Sequence, residues 1–261
     1  MLTRNLERAR EAFSKNDRKA SIKAHKQKSH EHHSKQGQYL KSAVYGGLDG
    51  TITTFSVVAG VAGASLSTGI VLIMGFANLI GDGISMAIGD YLSTKSEKEY
   101  RAAERKREAW EVENYPAGEK KEMREIYAGK GIKKNDTKKM VDAMSKYKEA
   151  WVDIMMVEEL GLIESKENPV KNASVTFVSF ALFGFIPLLA YVLAGLVPFL
   201  KKIEFIIACT LTLLTLFTLG ALKTKVTQRN WIKSGIEMVI VGGLASGAAY
   251  YIGYLLRGIG G

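Results

Sequence analysis

Residues 42–93 read SAVYGGLDGTITTFSVVAGVAGASLSTGIVLIMGFANLIGDGISMAIGDYLS, and this stretch decides the fold. Two apolar runs, 42–62 and 69–92, flank an uncharged turn at 63–68. Each is long enough to cross a bilayer, because about 20 helical residues span a hydrocarbon core ~30 Å thick. Yet Asp49 lies in the first run, and Asp82 and Asp90 lie in the second. A charged side chain at the bilayer centre costs roughly 2.5–3.5 kcal/mol on insertion scales, so acids placed there point to function rather than packing.

Further along, three more apolar runs occupy 173–200, 203–222 and 232–256, the last broken only by Lys233 and Glu237. Mean hydropathy over the chain is near zero, as in a soluble protein, but only because the charges crowd into 1–41 and 93–171. The expected fold is an all-α membrane protein with five transmembrane helices and a three-helix cytosolic domain between spans two and three. Its parts are a basic, histidine-containing tail (1–41), spans one and two (42–93), the cytosolic metal-binding domain (94–170), spans three to five (171–256) and a short end (257–261). Glycines at 46, 47, 50, 60 and 63 in the first run and 75, 81, 83 and 89 in the second predict close helix packing, within the chain or against a second copy. Pro187 and Gly184 suggest a kink in the third span.

The net charge of +10 does not indicate nucleic acid, because about seven of these charges belong to residues 1–41. Lys and Arg number eleven in 1–41, eighteen in 93–171 and four in 223–233, against none in the turn at 63–68 and two, Lys201 and Lys202, between spans three and four. With five spans, the three rich segments share one side, which the positive-inside rule makes cytosolic. The lone cysteine, Cys209, cannot form an intrachain disulfide. No GxxxxGKS/T, GxSxG, HExxH or cysteine-rich zinc pattern is present, so no enzyme activity is expected.

In the tail, Leu2, Leu6, Ala9 and Phe13 have the spacing of a short amphipathic helix, and the rest reads as a flexible polar segment. Its four histidines, His25, His30, His32 and His33, suit weak metal capture or simple solvation. Past the second run, 96–114 contains no helix breaker and should prolong that span as one long helix. Pro116 should open a helix over about 117–128, closed by Gly129 and Gly131. Asn135 or Asp136 could cap a third, reaching about Leu160.

Asn78, Asp82, Met86 and Asp90 recur every four residues and so follow one face of a helix. Carboxylate, amide and thioether groups on one stripe suit a late first-row divalent ion, whereas Mg²⁺ and Ca²⁺ prefer oxygen alone. Met86 as a packing residue is the competing reading. In the charged segment Glu108 and Glu111, and Glu119 and Glu122, stand three apart, and Met155 and Met156 adjoin Glu158 and Glu159. Glutamates and lysines alternating on helices ordinarily form solvated faces with weak ion pairs, and residue spacing alone leaves that reading in place.

The strings Tyr45-Gly46-Gly47-Leu48-Asp49-Gly50 and Asp82-Gly83-Ile84-Ser85-Met86-Ala87-Ile88-Gly89-Asp90-Tyr91-Leu92-Ser93, with the long charged insert between spans two and three, resemble the vacuolar iron transporter family over about residues 40–256. The resemblance implies a homodimer, with no prosthetic group, that moves Fe²⁺ as substrate out of the cytosol into an acidic organelle such as a vacuole, with H⁺ as counter-ion. It implies that Asp49 and Met86 line the path; Asp82 and Asp90, on the same stripe as Met86, are candidate metal ligands on the residue reading alone. It also implies that the cytosolic domain binds metal through Glu108, Glu111, Glu119, Glu122, Met155, Met156 and Glu159, with Glu104 and Glu158 as ligands or salt-bridge partners. Some members carry an acid near the position of Asn78, where this chain has an amide. The expected partners are divalent transition-metal ions, protons, membrane lipid and a second copy. Mn²⁺, Co²⁺ and Zn²⁺ are alternative cargoes, and Mn²⁺ as the main cargo is a close variant. The rival readings are a metal-buffering or sensing membrane protein without transport, and a scaffold whose charged helices bind a protein.

Overall fold

The computed structural model describes residues 11–13, 15–26, 35–164, 167–227 and 229–258, and among these it is helical with no strand. The helices are α1 (Arg18–Lys26), α2 (Lys35–Gly63), α3 (Thr68–Asn114), α4 (Pro116–Gly129), α5 (Lys134–Met144), α6 (Lys148–Glu158), α7 (Pro169–Leu196), a 3₁₀ turn (Pro198–Lys202), α8 (Glu204–Thr227) and α9 (Trp231–Leu255). They form two compact units, one of residues 1–87 and 173–261 and one of residues 88–172, and α3 contributes to both.

In the tail, α1 is a helix where the sequence suggests flexibility; Asp17 Oδ1 accepts the Ala20 amide at 3.0 Å as its cap. Phe13 is exposed, whereas Leu2, Leu6, Ala9, His30, His32 and His33 and the His25 side chain lie outside the described residues.

The first unit packs α2 against α7, α8 and α9. Four described helices are long and apolar enough to cross a membrane: α3, α7, α8 and α9. At 29 residues α2 is long enough, but its threonines, glycines and Asp49 leave it no stretch as apolar as those in the other four. Its apolarity therefore does not mark α2 as the fifth expected span, although its length allows it.

Small residues set the closest approaches. A Cβ on Gly46 would come within 2.6 Å of the Thr176 carbonyl oxygen, and one on Gly184 within 2.7 Å of the Gly50 carbonyl oxygen, so α2 and α7 meet backbone to backbone. Pro187 lies inside α7 and removes the amide that would bond the Phe183 carbonyl. Thr51 Oγ1, fully buried on α2, reaches that carbonyl at 3.4 Å while donating to its own Gly47 carbonyl at 2.7 Å. The core here gathers Phe55, Val58, Val71, Leu79, Phe180 and Leu188.

In the second unit the long helix is as expected, with α3 running to Asn114. Helix α4 begins at Pro116, and Gly131 beyond it takes a left-handed φ of +86°. The third expected helix is instead two, α5 and α6, broken at 145–147. Neither Asn135 nor Asp136 caps α5; Lys133 holds that position and no side chain caps the helix. Val112, Met123, Val141, Trp151, Val152, Met155 and Met156 close the small core of this unit.

Candidate metal centre

Three helical elements bring three carboxylates to one place in the second unit. Glu108 comes from α3, past the apolar part of that helix; Glu119 comes from the first turn of α4, and Glu159 directly follows α6. Pro116 at the start of α4 suits a helix N-terminus, and an acid in the first turn complements the partial positive charge there. One oxygen from each of the three carboxylates lies within 4.8 Å of the others. Glu108 is fully buried and Glu119 is 5% exposed. Both oxygens of Glu108 and Oε2 of Glu119 are buried, and apart from each other's carboxyl, which can donate only when protonated, they have no hydrogen-bond donor among the described residues. Buried charges require a partner, and the nearby Arg107 is shared. Arg107 donates from Nε to Glu104 at 2.9 Å and from Nη1 to Glu111, while its Nη2 stays 3.7 Å from Glu108.

The electrostatics follow from that shortage of positive charge. Burial, then a hydrogen bond to Glu108 and its charge, pushes Glu119 up to about 8. Burial also raises Glu108, against the opposing pull of the Glu119 hydrogen bond and of Arg107. Glu159 is exposed as a residue, yet its carboxyl is desolvated where it meets the pair, and the charges of Glu108 and Glu122 raise it further. Near neutral pH the Glu108–Glu119 pair shares a proton, and a divalent cation could replace it. Two oxygens on opposite sides of one ion, each at about 2.0–2.2 Å, stand about 4 Å apart, a separation that falls inside the 4.8 Å within which these oxygens lie.

Of the other glutamates singled out from sequence, Glu122 is exposed and adds its charge to Glu108, Glu119 and Glu159. Glu111 is half-buried beside Arg107. Glu104 and Glu158 are in ion pairs, with Arg107 and Lys130 respectively. Met155 and Met156 are fully buried in the small core. Arg107 was not among the sequence candidates, although Glu104, Arg107 and Glu111, at i, i+3 and i+7, carry the signal for it.

In the first unit Asp49 on α2 and Asp82 on α3 are both half-buried, and close enough for their charges to repel. Gly46, Gly47 and Gly50, all buried, surround Asp49 in sequence and press its helix onto α7. Met86, one turn past Asp82, packs at the edge of the core and is only partly buried. Asp90 falls in the second unit and is half-buried. Asn78 is half-buried, and its Nδ2 is buried without an acceptor among the described residues. The structure thus brings Asp49 and Asp82 together across two helices and leaves Met86 on the same face as Asp82.

The profile of the VIT family matches residues 40–254. A vacuolar iron transporter of Toxoplasma gondii is 40% identical over 269 residues, covering 97% of this chain and 89% of that protein. Its counterpart in Plasmodium falciparum is 35% identical over 270 residues, 98% of each chain. Vacuolar iron transporter 1 of Arabidopsis thaliana is 34% identical over 245 residues, 91% of this chain and 95% of its own. Matched by the family profile from within α2 to the last turn of α9, and by relatives over nearly its whole length, the chain belongs to the VIT family.

Proposed function

We propose that this protein is a proton-coupled antiporter in the membrane of an acidic organelle, moving cytosolic Fe²⁺ inward as substrate and returning H⁺. The observation that carries this reading is the Glu108–Glu119–Glu159 cluster, whose buried oxygens lack donors outside the cluster and whose carboxyls hold a proton that a divalent ion can displace. Kinship with proteins named vacuolar iron transporters supplies the cargo and the compartment. In this reading the cluster, helped by Glu111 and Glu122, collects metal. Asp49, Asp82 and Met86, with Asp90 further along α3, pass it through the bilayer. Intramembrane acids suit exchange because each can hold either a proton or a share of a metal ion. Five spans, α2 among them, put the N-terminus and residues 94–170 in the cytosol, in keeping with the lysine and arginine distribution.

The protein would act as a homodimer through α3. Ile73, Ile80 and Ile84 are exposed there, and a Cβ on Gly81 would meet nothing, which leaves room for close approach by a second copy. The all-oxygen cluster also suits Mn²⁺, which such a site binds less tightly than Fe²⁺, so Mn²⁺ is a second cargo to test.

Flux into proteoliposomes tests the reading. Fe²⁺ uptake should follow an imposed pH gradient, and both Asp49→Ala and Met86→Ala should reduce it by at least the roughly 10–100-fold that losing even a supporting group costs a metal site. Uptake indifferent to the gradient would leave a carrier without proton coupling. Metal binding with no uptake at all would leave a membrane-anchored buffer. Parallel runs with Mn²⁺, Co²⁺ and Zn²⁺ rank the cargoes.

A further inference from the structure

Away from the glutamate cluster, the second unit has a cleft of about 530 Å³ between α4 and α5, and its lining is strongly basic. Lys121 and Arg124 face it from α4, and Lys134 and Lys138 from α5, with Glu125 as the one acid of the lining. That acid is already engaged, loosely, by Lys121 at 3.8 Å. Arg124 spends one amino group on Asp142 at 3.2 Å, while its Nε is buried with no acceptor among the described residues. Lys134 and Lys138 have no ion-pair partner among the described residues. Helix α5 begins at this cleft, and Lys133 at its N-cap offers no side-chain oxygen to the first amides. The Asp136 and Thr137 amides bond the Lys133 carbonyl, which leaves those of Lys134 and Asn135 as the unpaired N–H groups of this 11-residue helix, and Asp136 in the first turn offsets part of the positive charge there.

A pocket of this size, with convergent cations, an unsatisfied guanidinium N–H and free helix amides, has the chemistry of a site for a tetrahedral oxyanion. We propose that the α4–α5 cleft binds a phosphoryl group, taken from a soluble phosphate or phosphate monoester or from a phospholipid headgroup. The site is independent of the transport reading, because none of its residues belongs to the glutamate cluster or to the intramembrane acids.

The experiment uses the full chain, metal-free, in phosphatidylcholine nanodiscs. In one arm, inorganic phosphate and glycerol 3-phosphate are titrated calorimetrically. In the other, nanodiscs containing phosphatidic acid are dissolved and the lipid retained by the protein is measured by mass spectrometry. Lys134→Gln with Lys138→Gln should weaken binding at least about tenfold, as expected for the loss of charge-assisted bonds. Lys139→Gln, an exposed change on the same helix outside the cleft, should leave it within about twofold. Saturable binding in the first arm with this pattern identifies a soluble phosphate, and in the second arm alone a lipid headgroup. No saturable binding in either arm, or equal weakening by Lys139→Gln, overturns the proposal.

Discussion

Glu119 lies at the start of a helix, where a carboxylate is ordinarily favoured, yet it titrates near 8. Burial beside Glu108 outweighs the helix dipole, which is worth about 0.3–1 kcal/mol. Two expectations follow at this scale. Replacing Glu119 with Gln removes one anionic oxygen from the cluster, so the affinity of the intact protein for Fe²⁺ or Mn²⁺ should fall about 10–100-fold in a metal titration. If affinity is unchanged, the cluster is not a metal site. The second concerns pH. Glu108, Glu119 and Glu159 all have folded values raised above the ~4.3 of a free glutamate. Such groups favour the fold fully below that pH, and the benefit is lost as pH rises through the folded values, to about 8 for Glu119. Metal-free protein should therefore melt at lower temperature at pH 8 than at pH 5, as followed by tryptophan fluorescence. Added Mn²⁺ should close the gap, because it binds the deprotonated cluster; a gap that survives saturating metal would assign the loss to other groups. Glu108 and Glu119 are legible in the sequence as members of pairs three residues apart, and Glu159 as a neighbour of Met155 and Met156, but spacing does not separate a buried cluster from a solvated face. Burial decides that, and burial comes from Trp151, Val152, Met155 and Met156 packing against α3 and α4. The same packing places the two methionines, which the sequence marks as soft ligands, in the core.

Among the elements, the long apolar runs and the continuation of α3 could be read from periodicity and the absence of breakers. The division between α5 and α6 could not. Val141, Met144, Trp151, Val152 and Met155 have the spacing of one face of an uninterrupted helix, and no Gly or Pro stands at 145–147. The break there is a tertiary choice, with backbone bonds from Ser145 to Val141 and from Tyr147 to Met144 ending one helix and Trp151 to Tyr147 starting the next. Helix contacts give the prediction at this scale. Gly46→Leu should force α2 from α7, because its Cβ would meet the Thr176 carbonyl rather than a movable side chain. A destabilisation of about 1–3 kcal/mol or more is expected in detergent unfolding. Gly81→Leu, into open space on α3, should leave the unfolding of the monomer unchanged and instead shift the monomer–dimer balance measured by light scattering. If Gly46→Leu unfolds like the unsubstituted protein, the backbone-to-backbone packing of α2 on α7 is refuted.

For the whole molecule the open quantity is the number of crossings, and it turns on α2. Its 29 residues could traverse ~30 Å of hydrocarbon with length to spare, but they hold no stretch as apolar as those in the other four long helices. Positive charge supplies the argument for crossing. Eleven Lys and Arg precede the first apolar run, eighteen lie between the second and third and four between the fourth and fifth, whereas the two remaining connections carry none and two. That alternation of rich and poor segments persists only if α2 crosses; were it to lie on the surface, the eleven-charge tail and the uncharged turn at 63–68 would share a side. Single cysteines in a Cys209→Ala background distinguish the two arrangements. Lys41→Cys, Lys146→Cys and Arg229→Cys, all at exposed positions, should react with a membrane-impermeant maleimide from one face of sealed vesicles. Ser67→Cys and Lys201→Cys, exposed as well, should react only from the other. Labelling of residues 41 and 67 from the same face would reduce the count to four and place Asp49 at the surface rather than in hydrocarbon. Its carboxylate would then need no special explanation, and the transport path would have to be sought along α3 alone.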